Sequence, residues 1–264
     1  MPLDTARGYA PPAEEPVAVH PITTADVFDA LSKGTADFWR HPSHYLFVVI
    51  IYPVVGIVLA VWSAGGETFP LLYPLAAGFA LLGPVVALGL YELSRRREQG
   101  LDDSPRHALS VLRHPAIGSM VVLGLMLAVV FGLWIAAAGA LYDFYFGANP
   151  PATLWGLITE TFTTTRGWGL LMWGNIVGFC FAFFVLATTV IAFPLLVDKG
   201  GSAVRAVRTS LRAVGRSPYQ MMIWGLVVAI TLFVASIPLF VGLAIVLPIL
   251  GHATWHLYRK AVRE

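Results

Sequence analysis

The chain has 264 residues, of which 57% are hydrophobic and 12% are charged, and its mean hydropathy is +0.74. A soluble domain carries about 25% charged residues, so the composition argues against a soluble protein and favours a membrane protein. The net charge of +2 is too small to indicate a nucleic-acid partner, and a single cysteine, Cys180, excludes an intrachain disulfide.

The chain begins with a polar stretch rich in proline, and we predict that residues 1–22 form a disordered cytoplasmic tail. From Thr23 to Arg40, apolar residues recur at helical spacing, which predicts a surface helix. The first 44 residues lack the pattern of a signal peptide, so we expect the first span to serve as its own insertion signal.

Five apolar runs follow, and they supply six segments long enough to cross about 30 Å of hydrocarbon. The last run is long enough for two spans, with a turn expected at Ser236, Ile237 and Pro238. The runs cover about residues 45–63, 69–93, 117–142, 169–197 and 221–258.

Lysine and arginine are distributed unequally between the two sides that these spans define. Only Arg166 lies on one side, whereas the other 16 of the 17 lie in the terminal segments and in the loops 94–116 and 198–218. Cytoplasmic segments of membrane proteins carry this excess. We therefore predict an all-α membrane protein with six transmembrane helices in three hairpins and with both termini in the cytoplasm.

Three Arg-x-Pro elements divide the predicted single domain, residues 23–262, into similar units. Each unit would contain one cytoplasmic amphipathic surface helix, ended by the proline, and one hairpin; Ser104 is the predicted N-cap of the middle surface helix. Each even-numbered span also contains a proline, Pro84, Pro194 or Pro248. The elements are Arg40-His41-Pro42, Arg113-His114-Pro115 and Arg216-Ser217-Pro218, and the units are about 23–93, 104–197 and 202–258.

The third surface helix is the most cationic of the three. Its arginines fall three or four residues apart, with valines and a leucine on the opposite side, so we expect it to lie on anionic lipid headgroups. The arginines are Arg205, Arg208, Arg212 and Arg216, and the apolar residues are Val204, Val207, Leu211 and Val214.

Four ionisable residues lie near the cytoplasmic ends of the predicted spans, namely Glu92, Asp198, His252 and His256. Two histidines four residues apart share one helical face, and with two carboxylates they are a suitable ligand set for zinc or another divalent ion. The alternative is a structural belt at the interface. In that belt Glu92 pairs with Arg96 or a neighbouring histidine. Trp255 and Tyr258, near the end of the last span, lie at headgroup level.

Asn175 is the carboxamide predicted to lie deepest in the bilayer, where it would make an interhelical hydrogen bond or contact a substrate. The chain contains no motif of a nucleotide-driven pump, a hydrolase or a dinucleotide-binding enzyme. We therefore expect no catalytic residues, no cofactor and no enzymatic activity.

Several motifs resemble a family of predicted bacterial integral membrane proteins that contain a domain of unknown function. They are LLGPVVALGLYELSRRREQG, FPLLVDKGG, TSLRAVGRSPYQMMIWGL and ILGHATWHLYRK. The resemblance covers about residues 23–262 and implies a multi-pass protein of the bacterial inner membrane, with no activity attached. A weaker and partial similarity is to the membrane domain that accompanies some glycerophosphodiester phosphodiesterases.

Members of the family are sometimes labelled cytochrome c oxidase subunit I-like. A haem-copper subunit needs about six histidines near the membrane interior. Of the seven histidines here, only His252 and His256 lie within a predicted span, and on one face of one helix they cannot ligate both sides of a haem. A catalytic oxidase subunit is excluded on this ground, whereas an accessory subunit of a respiratory complex is compatible with the sequence.

These observations predict a non-enzymatic scaffold or accessory subunit whose basic surface helices bind anionic lipid headgroups. Its expected partners are the lipid bilayer and another membrane protein. The alternative is a transporter of a small molecule or an ion, in which the four ionisable residues form a coupling or metal site on the cytoplasmic side.

Overall fold

The computed structural model describes residues 16–40, 56, 71–238 and 241–263. The first predicted span, about residues 45–63, lies outside these ranges except for Gly56. The described residues form α-helices and one 3₁₀ helix, Pro105–Arg113, and contain no strand. The α-helices are α1 (Thr24–Arg40), α2 (Leu72–Leu81), α3 (Gly83–Val86), α4 (Leu88–Glu98), α5 (Ile117–Phe146), α6 (Leu154–Thr163), α7 (Thr165–Thr189), α8 (Ala192–Lys199), α9 (Ala203–Arg216), α10 (Pro218–Ser236) and α11 (Leu243–Ala261).

Three helical segments in the described part of the chain are long and apolar enough to cross a membrane: α5, α7 together with α8, and α10. The prediction of an all-helical membrane protein is confirmed at this level. Helix α10 ends at Ser236, where the sequence predicts a turn, and α11 begins after it. Six spans, three hairpins and the orientation stay predictions.

Two of the three prolines in the predicted even-numbered spans lie at or near helix interruptions. The helical segment around Pro84 is broken at Leu82 and Ala87. Helix α7 ends at Thr189, and Pro194 lies in the first turn of α8. Pro248 lies inside α11. Proline lacks an amide proton and its ring clashes with the preceding turn, so each interruption follows from local chemistry.

The most deeply buried part of the protein lies where α4, α8 and α11 pack against one another. Fully buried side chains there include Leu93, Phe193, Leu196, Trp255 and Tyr258. The long helices α5 and α10 instead expose many large apolar side chains, as expected for surfaces that face hydrocarbon rather than water.

The three predicted surface helices dock on protein. Helix α1 packs against α11, the 3₁₀ helix against α4, and α9 against α7 and α8. Small residues allow close approach: a Cβ atom added at Gly34 would lie 2.5 Å from the backbone nitrogen of Ala253, and one at Gly89 would lie 3.2 Å from the Cβ of Ala108. The apolar face of α1, which includes Val27, is therefore buried against α11.

The middle surface segment differs from its prediction in one respect. Ser104 occupies the N-cap position with an extended backbone, but its side chain makes no capping hydrogen bond. Its hydroxyl instead accepts a hydrogen bond from Arg106 Nε at 3.1 Å.

Residues 16–22 are part of the folded structure, although the sequence places them in a disordered tail. Val19 and Ile22 are buried, the backbone nitrogen of His20 donates to the Ala261 carbonyl at 2.8 Å, and that of Ile22 donates to Ser217 Oγ at 2.9 Å. The two ends of the described chain therefore lie side by side.

Candidate functional site

The four ionisable residues predicted from the sequence lie around the junction of α4, α8 and α11. Glu92 on α4 is almost fully buried, and its carboxylate accepts two hydrogen bonds from Arg95 at 2.9 Å and one from Ser110 Oγ at 3.2 Å. Arg96, the partner expected from the sequence, is 3.8 Å away. Both carboxylate oxygens of Glu92 are therefore engaged.

Asp198, near the end of α8, is held by two residues of α11. Arg259 donates to both carboxylate oxygens, at 3.0 and 3.1 Å, and the Tyr258 hydroxyl donates at 2.6 Å. Arg259 also donates to Glu98 on α4 at 2.8 Å. One guanidinium thus joins three helices, and its bidentate geometry is the strongest form of such a contact.

Trp255 and Tyr258 are fully buried within the protein, so their side chains are not exposed to lipid. Their placement at headgroup level stays a prediction. Their polar atoms have partners within the protein. The Trp255 indole donates to Glu98 at 2.9 Å, and Tyr258 donates to Asp198. Buried Trp and Tyr side chains usually find such partners, and the sequence pattern alone did not reveal that neighbouring helices supply them.

His256 pairs with the surface helix α1. Its Nε2 lies 2.8 Å from Asp37 Oδ2, and Arg97 from α4 lies 3.2 Å from the other oxygen of the same carboxylate. Burial acts to raise the pKa of Asp37, but the hydrogen bond with His256 and the charge of Arg97 hold that pKa below its usual value. Asp37 therefore ties α1 to both α11 and α4.

His252 contacts Ser94, which lies 158 residues away in sequence. No sequence motif links the two residues, so the contact was not predicted. His252 Nδ1 lies 2.5 Å from Ser94 Oγ. A serine beside a histidine is the chemistry of an activated nucleophile, but both side chains are buried, with 0% and 3% of their surfaces exposed, so a substrate has no access to them. The pair supports helix packing between α4 and α11.

The predicted metal ligands do not converge. Glu92 and Asp198 each pair with an arginine, and the two histidines contact Ser94 and Asp37. Among the residues that the structure describes, no group of three or more histidine, cysteine, aspartate or glutamate side chains is placed to hold a metal ion. The metal site stays a prediction, and these contacts do not support it.

The arginine helix α9 is oriented differently from the prediction. Of the predicted apolar residues, Val214 is buried, whereas Val204 and Leu211 are exposed beside Arg208 and Arg212. Most of the buried face is made of small residues. Small side chains permit the close packing of α9 on α7 and α8. The buried residues are Ala206, Thr209, Ser210, Ala213 and Val214.

Within that buried face, Ser210 has a specific role that the sequence did not indicate. Its hydroxyl accepts a hydrogen bond from the Ile191 amide at 3.3 Å. Ile191 lies between α7 and α8, where the helical hydrogen bonding is interrupted. Ser210 therefore provides a partner for a backbone group at the interruption.

Asn175 on α7 lies at the edge of a large cavity. Its amide donates to the Leu171 carbonyl at 2.7 Å, and its oxygen accepts a long hydrogen bond of 3.4 Å from the Tyr73 hydroxyl. The cavity has a volume of about 780 Å³ and is lined by Gly56 and by residues of α2, α3, α4, α5, α7, α10 and α11. Asn175 and Tyr73 are thus polar groups in a mainly apolar space.

Lys260 on α11 forms ion pairs with two aspartates of α1, and we expect this contact between the helices to weaken in acid. Lys260 lies 3.0 Å from Asp26 and 2.8 Å from Asp29. Hydrogen bonds from Thr23, with a contribution from Lys260, lower the pKa of Asp26 from 3.8 to about 2.

A lowered carboxylate pKa stabilises the folded state above pH 3.8, and this stabilisation is lost as the pH falls toward 2. We expect α1 to become more accessible to hydrogen exchange in that interval. The test is the exchange rate of residues 24–40 between pH 5 and 2, divided at each pH by the rate of an unfolded peptide. Asp26→Asn is the control and should show a smaller change with pH. An equal response in that variant would contradict the assignment.

Comparison with known proteins gives one match. Residues 71–198, which extend from α2 through α8, match the profile of a family described as predicted integral membrane protein (DUF2189). The resemblance seen in the sequence motifs is thereby confirmed. Neither the curated proteins nor the solved structures gave a significant match to the chain.

Proposed function

Because residues 71–198 belong to the DUF2189 family of predicted integral membrane proteins, we propose that the chain is a multi-pass protein of the bacterial inner membrane. We propose further that it acts as a non-enzymatic scaffold or accessory subunit whose basic surface contacts anionic lipid. The observation that carries this proposal is that the buried ionisable residues join helices to one another, whereas arginines of α9 are directed outward.

The contact between the two ends of the chain supports an even number of spans. His20 and Ala261 share a backbone hydrogen bond, so they lie on the same side of any membrane that the intervening helices cross. Six spans satisfy this condition. The distribution of lysine and arginine assigns that side to the cytoplasm.

The packing of the surface helices supports three related units. The 3₁₀ helix of the second unit packs on α4 of the first, and α9 of the third packs on α7 and α8 of the second. Helix α1 of the first unit packs on α11 of the third, which closes the cycle. Such an order is expected for three units arranged around an axis along the membrane normal.

Two polar contacts occupy equivalent positions in this arrangement. Glu92 and His256 each follow the proline of their span by eight residues, and each contacts the surface helix that packs on it. Their partners, Ser110 and Asp37, each precede the arginine of an Arg-x-Pro element by three residues. Equivalent placement in two interfaces supports a structural role for these residues over a single chemical centre.

The exposed arginines of α9 provide the lipid contact. Arg208 and Arg212 are exposed beside Val204 and Leu211, a combination suited to the boundary between headgroups and hydrocarbon. Arg216, one turn further along α9, is also exposed and donates a hydrogen bond to the Val19 carbonyl. Each arginine near an anionic surface contributes about 1 kcal/mol.

Replacing Arg208, Arg212 and Arg216 together with glutamine is therefore expected to reduce the preference for anionic lipid by about 3 kcal/mol at most. Spin-labelled phosphatidylglycerol and phosphatidylcholine, compared in reconstituted vesicles, report this preference. Arg106→Gln is the matched control, because the charge of Arg106 is already balanced by Asp102 at 2.7 Å. An unchanged preference in the triple variant would refute the lipid-binding role of α9.

The transporter alternative has less support from the geometry. A coupling site needs ionisable groups that are free to change partners or to bind an ion. Glu92 instead accepts two hydrogen bonds from Arg95, and Asp198 accepts two from Arg259. Transport activity lost on His252→Gln, in a protein that still folds, would restore this alternative.

A further inference from the structure

We propose that helix α6 lies along the boundary between headgroups and hydrocarbon, on the side of the membrane opposite α9, and that its apolar face binds the lipid of that leaflet. Helix α6 (Leu154–Thr163) connects α5 to α7, which both belong to candidate membrane spans. Helix α9 follows the other end of the span formed by α7 and α8. The contact is therefore made by a different helix in a different leaflet, and it does not depend on the scaffold function.

The large apolar side chains of α6 share one face, and that face is exposed. With 3.6 residues per turn, four of them fall within an arc of about 100°. Trp155 alone has 75% of its surface exposed. A surface helix of a soluble protein turns its apolar stripe toward the core, so the outward stripe of α6 is typical of a helix in contact with lipid. The four residues are Leu154, Trp155, Ile158 and Phe162.

The opposite side of α6 is held against the start of α7, which fixes the direction of the apolar face. Glu160 accepts a hydrogen bond from Arg166, and Arg166 also donates to the Asn149 carbonyl at 3.2 Å. The guanidinium of Arg166 lies 4.6 Å from the centre of the Phe146 ring, which is buried. A Cβ atom added at Gly167 would overlap the Glu160 carbonyl oxygen, so the two helices also approach closely. The apolar face cannot turn toward the protein while these contacts persist.

The charges of α6 favour hydrocarbon as its partner. Glu160 is the one ionisable residue in Leu154–Thr163, and its charge is balanced by the ion pair with Arg166. The exposed face thus offers no charge to a charged protein partner or to a headgroup. This differs from α9, where arginines are exposed beside the apolar residues.

The apolar face of α6 is continuous with the exposed surface of a candidate span. The Trp168 ring meets the Phe162 ring edge-on at 6.4 Å, and its indole donates to the Phe162 carbonyl at 3.1 Å. Trp168 shares one exposed face of α7 with Met172 and Ile176. Tryptophan is enriched at membrane interfaces, where one part of the ring contacts hydrocarbon and the indole nitrogen finds a polar partner. The continuity of this surface identifies lipid as the occupant.

Spin labels on two sides of α6 test the proposal. In the full chain with Cys180→Ser, a nitroxide is attached through Ile158→Cys on the apolar face or, as the matched control, through Thr163→Cys. Thr163 is also exposed and lies about 140° away around the helix. In vesicles of phosphatidylethanolamine and phosphatidylglycerol, we expect the label at 158 to collide mainly with oxygen, which concentrates in hydrocarbon. We expect the label at 163 to collide mainly with a water-soluble nickel complex.

Equal access of the nickel complex to both labels would overturn the proposal. Shielding of the label at 158 from both reagents would also overturn it, and dipolar broadening between labels would then identify a second copy of the chain as the occupant. If Ile158→Cys fails to fold, Leu154→Cys places the label on the same face.

Trp155 provides a second measurement of depth. Trp155→Phe removes one of eight tryptophans, so the difference in fluorescence between wild type and this variant reports Trp155. We expect this difference to be quenched more by phosphatidylcholine brominated near the headgroup than by the same lipid brominated near the end of its acyl chains. Stronger quenching by aqueous acrylamide than by either lipid would contradict the assignment. Replacing Arg208, Arg212 and Arg216 with glutamine leaves both measurements unchanged, which separates this contact from that of α9.

Discussion

Replacing Gly34 with alanine is expected to destabilise the protein by about 1–3 kcal/mol, the usual cost of overpacking. The added Cβ atom would lie 2.5 Å from the backbone nitrogen of Ala253 and 2.7 Å from its Cα. A backbone cannot move aside as a flexible side chain can, so α1 would have to shift away from α11. Such a shift weakens the contacts of Asp37 with His256 and of Lys260 with Asp26 and Asp29.

The control for this variant is Gly215→Ala in α9. Gly215 is exposed, and a Cβ atom there meets nothing within 4 Å. Alanine is favoured over glycine in a helix by up to about 1 kcal/mol, so this change should be neutral or stabilising. Thermal unfolding of both proteins in one detergent, followed by size-exclusion chromatography, gives the comparison. Equal unfolding temperatures would show that α1 and α11 are not closely packed.

Replacing Asp198 with alanine is expected to destabilise the protein by about 3–5 kcal/mol, the range for removing one partner of a buried ion pair. Only 8% of the Asp198 side chain is exposed. Its loss removes the acceptor of the Tyr258 hydroxyl and of two hydrogen bonds from the Arg259 guanidinium, which keeps its contact with Glu98. The matched change is Asp102→Ala. Its pair with Arg106 is largely exposed, so the expected effect is below about 1 kcal/mol.

The same measurement separates a structural Asp198 from a metal ligand. If Asp198 joins α8 to α11, the chelator EDTA leaves the unfolding temperature of wild type unchanged, and the effects of Asp198→Ala and Arg259→Ala are less than additive. A lower unfolding temperature in EDTA would instead favour the metal site. Similar stabilities of Asp198→Ala and Asp102→Ala would contradict the buried ion pair.

Local features of the fold could be predicted from the sequence. The apolar run before Phe146 gives α5, Ser202 caps α9 by accepting a hydrogen bond from the Arg205 amide, and the last run divides at Ser236. These features depend on residues close in the chain, where hydrophobic run length and capping chemistry determine the outcome.

The packing of the surface helices against the rest of the protein could not be predicted from the sequence in the same way. The valines and the leucine of α9 define one apolar side in the sequence, but small residues such as Ser210 form most of the face that packs on protein. Close helix packing favours small side chains. Glu92 pairs with Arg95 on its own helix, but the partners of the other candidate site residues are distant in sequence. Asp37 meets His256, and Asp198 meets Arg259, only because α1 and α8 both reach α11.

The contact between α1 and α11 also constrains the order of events during synthesis on the ribosome. Residues 40 and 261 emerge roughly 10–40 s apart at 5–20 residues per second. Throughout that interval the apolar face of α1, including Val27, lacks α11, the helix that packs against it. A chain terminated before Leu243 never acquires that cover, so truncated products should be held by chaperones or the bilayer surface and removed by quality-control proteases.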